Sequence, residues 1–137
     1  MKRPILLIIT ISIIHSCLID RIETRRIKVT NNLGYDVYCF NSRNDSLKEY
    51  LSFLNYQNME KAYIISNNST NDVYNVPRNW NSYIETSDAG KMKFFFIPVD
   101  SIEKYGWNYV LQNDFSTRKL LLDIEELNKM NWHIIVE

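Results

Sequence analysis

Few side chains in this 137-residue sequence are suited to catalysis. General acid–base chemistry near neutral pH most often uses histidine, and the sequence has only His15 and His133. His15 belongs to an apolar N-terminal segment, so an enzyme would depend on His133. In a strand, alternation would point His133 away from the face that Trp132 and Ile134 occupy. We interpret it as a hydrogen-bonded or solvent-facing histidine, and a weak hydrolase that uses His133 is an alternative hypothesis.

The thiols and carboxylates also do not form a pattern that predicts a catalytic or metal-binding site. The two cysteines, Cys17 and Cys39, are too few for a disulfide framework or a four-thiolate zinc site. Aromatic and β-branched neighbours predict that Cys39 is a small buried residue in a strand. The acids Glu125 and Glu126 suit the first turn of a helix, and no Asp-rich loop has calcium-binding spacing. We therefore predict no metal, no cofactor and no enzymatic activity.

Cys17 is a candidate for lipidation. Lys2 and Arg3 form a cationic start, and residues 5–14 form an apolar run before the cysteine. The tetrapeptide Ile14-His15-Ser16-Cys17 resembles the bacterial lipobox, although a smaller residue is more usual at His15. This pattern predicts a lipoprotein signal peptide at residues 1–16, a tether at residues 17–25 and a globular domain at residues 26–137. Lipid on Cys17 would then anchor the domain to a membrane.

Two other interpretations of the N-terminal segment stay open. A membrane-spanning helix needs about 20 mostly apolar residues, and Asp20 and Arg21 close a shorter stretch here. An uncleaved anchor at residues 4–19 is therefore less favoured than a signal. A secretory signal that is cleaved without lipidation is the third possibility.

The charge balance argues against nucleic acid as a partner. The full chain has 16 Lys and Arg against 16 Asp and Glu. Without residues 1–16, which include Lys2 and Arg3, the balance is 14 against 16, a net charge of −2. Nucleic-acid binding would need a basic stripe. The nearest approach to one is a group of cations that we interpret as a solvated tether: Arg21, Arg25, Arg26 and Lys28.

Aromatic and amide side chains favour a binding function. The sequence has nine Tyr, three Trp and many Asn, a mixture that suits planar apolar contact with hydrogen bonding, as in carbohydrate or protein recognition. Pro77 stiffens a segment in which Tyr74, Trp80 and Tyr83 are candidate binding residues. The interpretation that we favour for Trp80 itself is that it closes the edge of a sheet or caps the core, because buried aromatic residues dominate small cores.

Periodicity predicts the elements that would position these residues. We expect an α+β fold in a single domain, with a mainly antiparallel sheet or sandwich and two or three short capped helices. Strands are expected at residues 26–30, 35–40, 62–65, 73–76, 91–99, 117–122 and 132–136. Helices are expected after the capping boxes Ser46/Glu49, Asp100/Glu103 and Asp123/Glu126.

Three of these expectations are specific enough to test. A turn at residues 31–34 would join the first two strands as a hairpin, and asparagine-rich residues 67–72 would form a break. Residues 91–99 would form a central strand buried on both faces. In the helix after Asp100, the residues of one apolar face would be Ile102, Tyr105, Tyr109 and Val110.

Residues 100–107 (DSIEKYGW), 118–123 (RKLLLD) and 126–132 (ELNKMNW) together resemble the C-terminal half of small uncharacterised lipoproteins of Gram-negative gut anaerobes. The sequence departs from that pattern at Leu120-Leu121 and at Met130. The resemblance implies an exported protein in the outer membrane, on its periplasmic or surface face, but no particular activity. We therefore expect a membrane-anchored, non-enzymatic binding or envelope-complex component whose partner is a glycan or an envelope protein. An inhibitor-type lipoprotein is a further alternative.

Overall fold

The computed structural model describes residues 25–44, 63–73, 77, 79–116 and 118–137. Over these residues the chain has an α+β fold with two mostly antiparallel sheets, which confirms the predicted fold class. The signal segment, Cys17 and the predicted helix after Ser46 lie outside the described residues. The strands and helices are β1 (Lys28–Asn31), β2 (Val37–Ser42), β3 (Ile64–Ile65), β4 (Ser69–Asp72), α1 (Trp80–Glu85), β5 (Met92–Pro98), α2 (Val99–Gln112), β6 (Arg118–Leu122), α3 (Ile124–Lys129) and β7 (His133–Val136).

The two sheets differ in size and pairing. The first sheet has the order β4-β1-β7, with β1 antiparallel to β4 and parallel to β7. The second sheet has the order β3-β2-β5-β6 and is antiparallel throughout. Strand β5 is buried along nearly its whole length, which confirms the central strand predicted from its aromatic run. Phe94 and Phe96 face one core and Phe95 faces another, because side chains alternate along a strand.

Two apolar cores lie on the two faces of the second sheet. The larger core combines residues of both sheets with Trp80 and Ile84 of α1 and Leu127 of α3. The smaller core packs Val110 and Leu111 of α2 against the opposite face of the second sheet. Helix α2 therefore covers one side of the second sheet, while the first sheet and the two short helices contribute to the other.

The predicted hairpin between the first two strands is wrong, because β1 and β2 lie in different sheets. The side chain of Asn31 is fully buried at this crossover. Its Nδ2 donates to the carbonyls of Tyr35 (2.8 Å) and Ile65 (2.9 Å), and its Oδ1 accepts from the Leu33 N–H (3.1 Å). A buried amide needs such partners. Asn31 thus links β1 to the second sheet instead of turning the chain back on itself.

The predicted break at residues 67–72 contains a strand. Residues Ser69–Asp72 form β4, which pairs along β1 although its side chains are polar and mostly exposed. The expected strand at residues 73–76 is not found at Val73, which follows β4, and the remaining residues of that segment lie outside the described part. Residues Ser69–Asp72 are a strand because their backbone pairs with β1. Their side chains show no apolar alternation that could have predicted this strand.

Helix ends were predicted with mixed success. The capping box of α3 is confirmed: the Asp123 side chain accepts from the Glu126 N–H at 2.9 Å, and the Glu126 carboxylate accepts from the Asp123 N–H at 2.8 Å. The box expected at Asp100 is wrong, because α2 begins directly after Pro98 and its N-cap has no side-chain hydrogen bond. Helix α1 was not predicted, although Asn79 caps it by accepting from the Ser82 N–H.

Candidate binding surface

The structure places Trp80 in the core and not on a binding surface. The first residue of α1, Trp80, is only 4% exposed and belongs to the larger core. Its indole N–H donates to the Arg25 carbonyl at 2.5 Å, and its ring lies 6.2 Å from the ring of Trp132. An indole that is buried with its N–H bonded cannot offer a face to a partner. The interpretation that Trp80 caps the core is therefore the one that the structure supports.

The other two candidate residues, Tyr74 and Tyr83, do not form a binding surface without Trp80. Tyr83 is partly buried, packs 6.0 Å from the Trp80 ring, and has the Arg43 guanidinium 4.2 Å from its own ring centroid. Tyr74 lies outside the described residues. Since Trp80 contributes no exposed ring, the three residues do not form the contact surface expected of them.

A different group of aromatic side chains is exposed. Tyr105, Tyr109 and Phe115 are 43%, 48% and 41% exposed. The rings of Tyr105 and Tyr109 stack with their centroids 5.1 Å apart and their planes 27° apart, and the Phe115 ring lies 6.2 Å from that of Tyr105. We call these three residues the aromatic patch. It is the site in the described structure that best suits contact with a partner.

A break at Gly106 separates the two tyrosines of the aromatic patch. Its φ of +75° and ψ of +159° break α2 in a conformation that is essentially restricted to glycine. Ile102 before the break and Val110 after it remain buried. In an unbroken helix both tyrosines would share the face of Ile102, as the sequence analysis expected. That expectation is wrong for Tyr105 and Tyr109, which are exposed, and the break at Gly106 places Tyr109 on a different helical segment from Ile102.

Hydrogen bonds after α2 place the third ring. The Phe115 N–H donates to the Val110 carbonyl at 2.9 Å, and Asp114 has a positive φ of 48° that reverses the chain. The Asn113 side-chain amide donates to the Tyr109 carbonyl at 2.8 Å. These bonds hold Phe115 against Tyr105, so the aromatic patch combines residues from both sides of the turn.

Polar groups accompany the aromatic patch on the same segment of the chain. The Lys104 ammonium lies 4.9 Å from the centroid of the Tyr105 ring, and its hydrogen bond with Tyr105 raises the pKa of Lys104. Asn108, Gln112 and Asn113 are exposed amides on the same segment. The surface therefore offers aromatic faces for apolar contact and amide groups for hydrogen bonding.

His133 lies on the outer face of the first sheet, far along the chain from the aromatic patch. Its Nε2 is 2.7 Å from Thr30 Oγ1, which is in turn 2.6 Å from Thr70 Oγ1. The histidine is hydrogen-bonded, as predicted. A hydroxyl beside an imidazole is the first part of a nucleophilic centre, but the base also needs a third group to orient it. Within the described ranges, no carboxylate hydrogen-bonds to His133.

The cysteine and the candidate metal ligands of the described residues do not form a reactive site. Cys39 is buried in β2, as predicted, and burial raises the pKa of its thiol to about 12. The thiol is therefore protonated at neutral pH and is not a nucleophile. No group of three or more His, Cys, Asp or Glu side chains in the described part of the chain could hold a metal ion.

Sequence reasoning missed a buried cation in β5. Lys93 is 1% exposed, and its ammonium donates to the carbonyls of Arg43 (3.0 Å) and Asp88 (3.3 Å). The Asp88 carboxylate lies 3.4 Å away. Because a buried charge needs such partners, we interpret Lys93 as a link between β5 and the turns at Arg43 and Asp88. A single lysine inside an apolar run gives no sequence signal for this role.

The described residues contain no helix of the length and apolar character required to cross a membrane. Comparisons with protein-family models, with curated proteins and with solved structures find no match to this chain.

Proposed function

We propose that this protein is a lipid-anchored, non-enzymatic binding component of a bacterial cell envelope, and that the aromatic patch is its contact surface. The observation that carries the binding function is the exposure of three contiguous aromatic rings at Tyr105, Tyr109 and Phe115. Tyrosine is enriched among the residues that dominate binding energy at interfaces. Exposed apolar groups that form a contiguous patch indicate a binding site more strongly than scattered ones.

The anchoring half of the proposal rests on the sequence. The cationic start, the apolar run and the lipobox-like tetrapeptide ending at Cys17 support export and lipidation. The resemblance to small envelope lipoproteins supports the same location. A tether at residues 17–25 can extend by at most about 30 Å, so a domain attached at Cys17 would stay close to the bilayer.

Anchoring is tested by expressing the full chain and its Cys17→Ser variant in a Gram-negative host. We expect the unaltered chain to partition into the detergent phase and its N-terminal peptide to carry acyl chains in mass spectrometry. The Cys17→Ser variant should lose both properties. An unmodified N-terminus that still begins at Met1, or unchanged partitioning of the variant, would overturn the lipid anchor.

Binding is tested with the Tyr105→Ala/Tyr109→Ala double variant on arrays of envelope glycans and envelope proteins. We expect saturable binding by the unaltered chain and a loss of about tenfold or more in the double variant. Ile135→Ala is the matched control, because Ile135 is an exposed apolar residue (55%) on the first sheet. Equal loss in the control, or none in the double variant, would contradict the role of the aromatic patch.

The non-enzymatic part of the proposal has a separate test. The only side-chain partner of the His133 ring among the described residues is the Thr30 hydroxyl. We therefore expect no turnover of ester, amide or glycoside substrates that depends on His133. Turnover that His133→Ala abolishes while circular dichroism shows an intact fold would replace the binding proposal with the hydrolase alternative.

A further inference from the structure

The area of the aromatic patch limits what it can hold. An aromatic side chain offers about 150–250 Å² of surface, so exposures of 41–48% at three rings give roughly 200–330 Å² of aromatic surface in total. A stable interface between folded proteins needs about 800 Å² on each partner. The aromatic patch alone is too small for a folded protein partner. Its size instead fits a small ligand or a short segment of a polymer.

The chemistry around the rings narrows the ligand class. A sugar ring has a face of C–H groups and a rim of hydroxyls. The tyrosine faces can contact the C–H groups, and the side-chain amides can donate to and accept from hydroxyls. Exposed amides are supplied by Asn108 and Gln112, and by the Oδ1 of Asn113, whose Nδ2 is already bonded. A neutral saccharide therefore matches both the apolar and the polar parts of the surface.

The charges beside the aromatic patch are mixed. Lys104 is accompanied by the exposed acids Glu103 and Asp114. A site for a phosphate-rich polymer would instead concentrate positive charge. The electrostatic surroundings thus favour an uncharged ligand over nucleic acid or an anionic lipid headgroup.

The strand register shows at which end of the sheets the aromatic patch lies. Asn31, at the end of β1, bonds to Ile65, which pairs with Val37, which in turn pairs with Pro98 at the end of β5. We call this the far end. Strand β6 begins at Arg118, opposite Phe96, near that end. The patch residue Phe115 is three positions earlier in the chain, so it lies within about 10 Å of the start of β6.

The chain enters the first sheet at the opposite end. The Arg25 carbonyl, just before β1, accepts the hydrogen bond from Trp80 at the start of α1. Any segment that precedes Arg25 therefore joins the domain at the end away from Asn31 and Pro98. The far end of the domain is therefore the end opposite the point at which residues 17–25 would attach it.

We infer that the aromatic patch binds a neutral saccharide near the end of the domain opposite its attachment to residues 17–25. This inference rests on the proposed function, since it names the ligand class and position of the same surface. The sugar ring stacks on the face of Tyr109 that Tyr105 leaves uncovered, Tyr105 supports that ring from the other side, and the neighbouring amides meet the sugar hydroxyls.

The test measures binding of the full chain in detergent micelles to defined neutral oligomers of glucose, mannose and N-acetylglucosamine. Saturation-transfer NMR reports which ligand protons contact the aromatic rings. We expect saturable binding to at least one oligomer, with affinity reduced about tenfold or more by Tyr105→Ala or Tyr109→Ala. Tyr109→Phe keeps the ring and should retain most of the affinity, and Ile135→Ala should leave it unchanged.

Three outcomes would overturn the inference. Saccharide binding that survives Tyr105→Ala/Tyr109→Ala would place the ligand elsewhere. Binding of an envelope protein that the double variant loses, without binding of any oligomer, would reject the saccharide but leave the proposed function intact. Binding to neutral phosphatidylcholine vesicles that the double variant loses would assign the aromatic patch to the membrane and reject the saccharide as its ligand.

Discussion

Two groups of aromatic rings in this protein have similar geometry and opposite exposure. Around Trp80, ring centroids lie 6.0 Å and 6.2 Å apart; around Tyr105 they lie 5.1 Å and 6.2 Å apart. The tryptophans of the first group are buried. The rings of the aromatic patch are more than two-fifths exposed. Contact between rings therefore does not distinguish a core from a binding surface.

Polar bonding and backbone conformation distinguish the two groups. The indole N–H of Trp80 donates to the Arg25 carbonyl, and that of Trp132 donates to Asn128 Oδ1 at 2.9 Å. These bonds satisfy the polar atoms that burial would otherwise leave without water. The aromatic patch instead spans the glycine-specific break at Gly106, with Tyr105 before it and Tyr109 after it. The buried group stabilises the fold, and the exposed group is available for contact.

The largest expected effect is the slow reaction of the buried Cys39 thiol, which lies in the same core as Trp80. Cys39 belongs to that core, and in the Cys17→Ser variant it is the only thiol. We expect a disulfide reagent at pH 8 to modify it about a thousandfold more slowly in the native protein than in urea, because modification requires unfolding. Similar rates would show that this core opens freely.

The same thiol predicts how stability depends on alkaline pH. Burial raises the pKa of Cys39 from 9.0 to about 12. The folded state thus favours the protonated thiol, and the stabilisation is fully present below pH 9. It declines as pH rises from 9 towards 12. A Cys39→Ala variant measured by urea unfolding should lack this part of the decline.

Truncation of the buried ring tests the comparison directly. We expect Trp80→Ala to lower the free energy of unfolding by about 3–5 kcal/mol, because it leaves a cavity in the core. Urea unfolding followed by circular dichroism measures this change. A cost below about 1 kcal/mol would contradict the assignment of Trp80 to the core, because exposed positions rarely cost more.

Substitution of Gly106, at the helix break, should lower the free energy of unfolding by an intermediate amount. Gly106→Ala should cost about 1–3 kcal/mol, because a side chain disfavours its φ of +75° and ψ of +159°. Nothing lies within 4 Å of a Cβ at Gly106, so the cost comes from the backbone and not from a clash. Gly34→Ala is a control at another positive φ, of 89°. It should destabilise the fold without changing the near-ultraviolet signal of the aromatic patch.

The smallest expected change in stability is that of the aromatic patch, which contrasts with the large change at Trp80. Tyr105→Ala/Tyr109→Ala should change the free energy of unfolding by about 0.5 kcal/mol per site or less, because both side chains are largely exposed. The double variant would then lose binding while keeping its stability. A loss of several kcal/mol would instead make the aromatic patch part of the core.

Local chemistry explains which parts of the fold the sequence predicts well. The aromatic run of β5 identifies a buried strand because few other elements accommodate such a run. The capping box of α3 depends on residues three positions apart, so a sequence pattern records it completely. Helix α1 also has a sequence pattern, Asn79 followed by the spacing of Trp80 and Ile84, but this pattern was not used to predict a helix.

Non-local contacts explain the failures. Pairing with β1 makes β4 a strand, and no apolar alternation marks it. The turn after Asn31 is compatible with a hairpin, and the bond to Ile65, which directs it elsewhere, joins residues 34 positions apart. The exposure of Tyr105 and Tyr109 was not predicted for a similar reason. The sequence shows a glycine inside the helical pattern, but it does not show how α2 breaks there or which of its residues pack against the second sheet.

The parallel pairing of β1 with β7 also constrains the order of events during synthesis. Lys28 pairs with His133 and Asn31 with Val136, so the first described strand acquires one of its two neighbours from the last. Contacts between such distant segments form slowly, since the chain between them must first be confined. A polypeptide that emerges from its amino end thus keeps β1 without that neighbour until β7 is made. If the chain is exported, such a delay would help to keep it unfolded while it passes through a secretion channel.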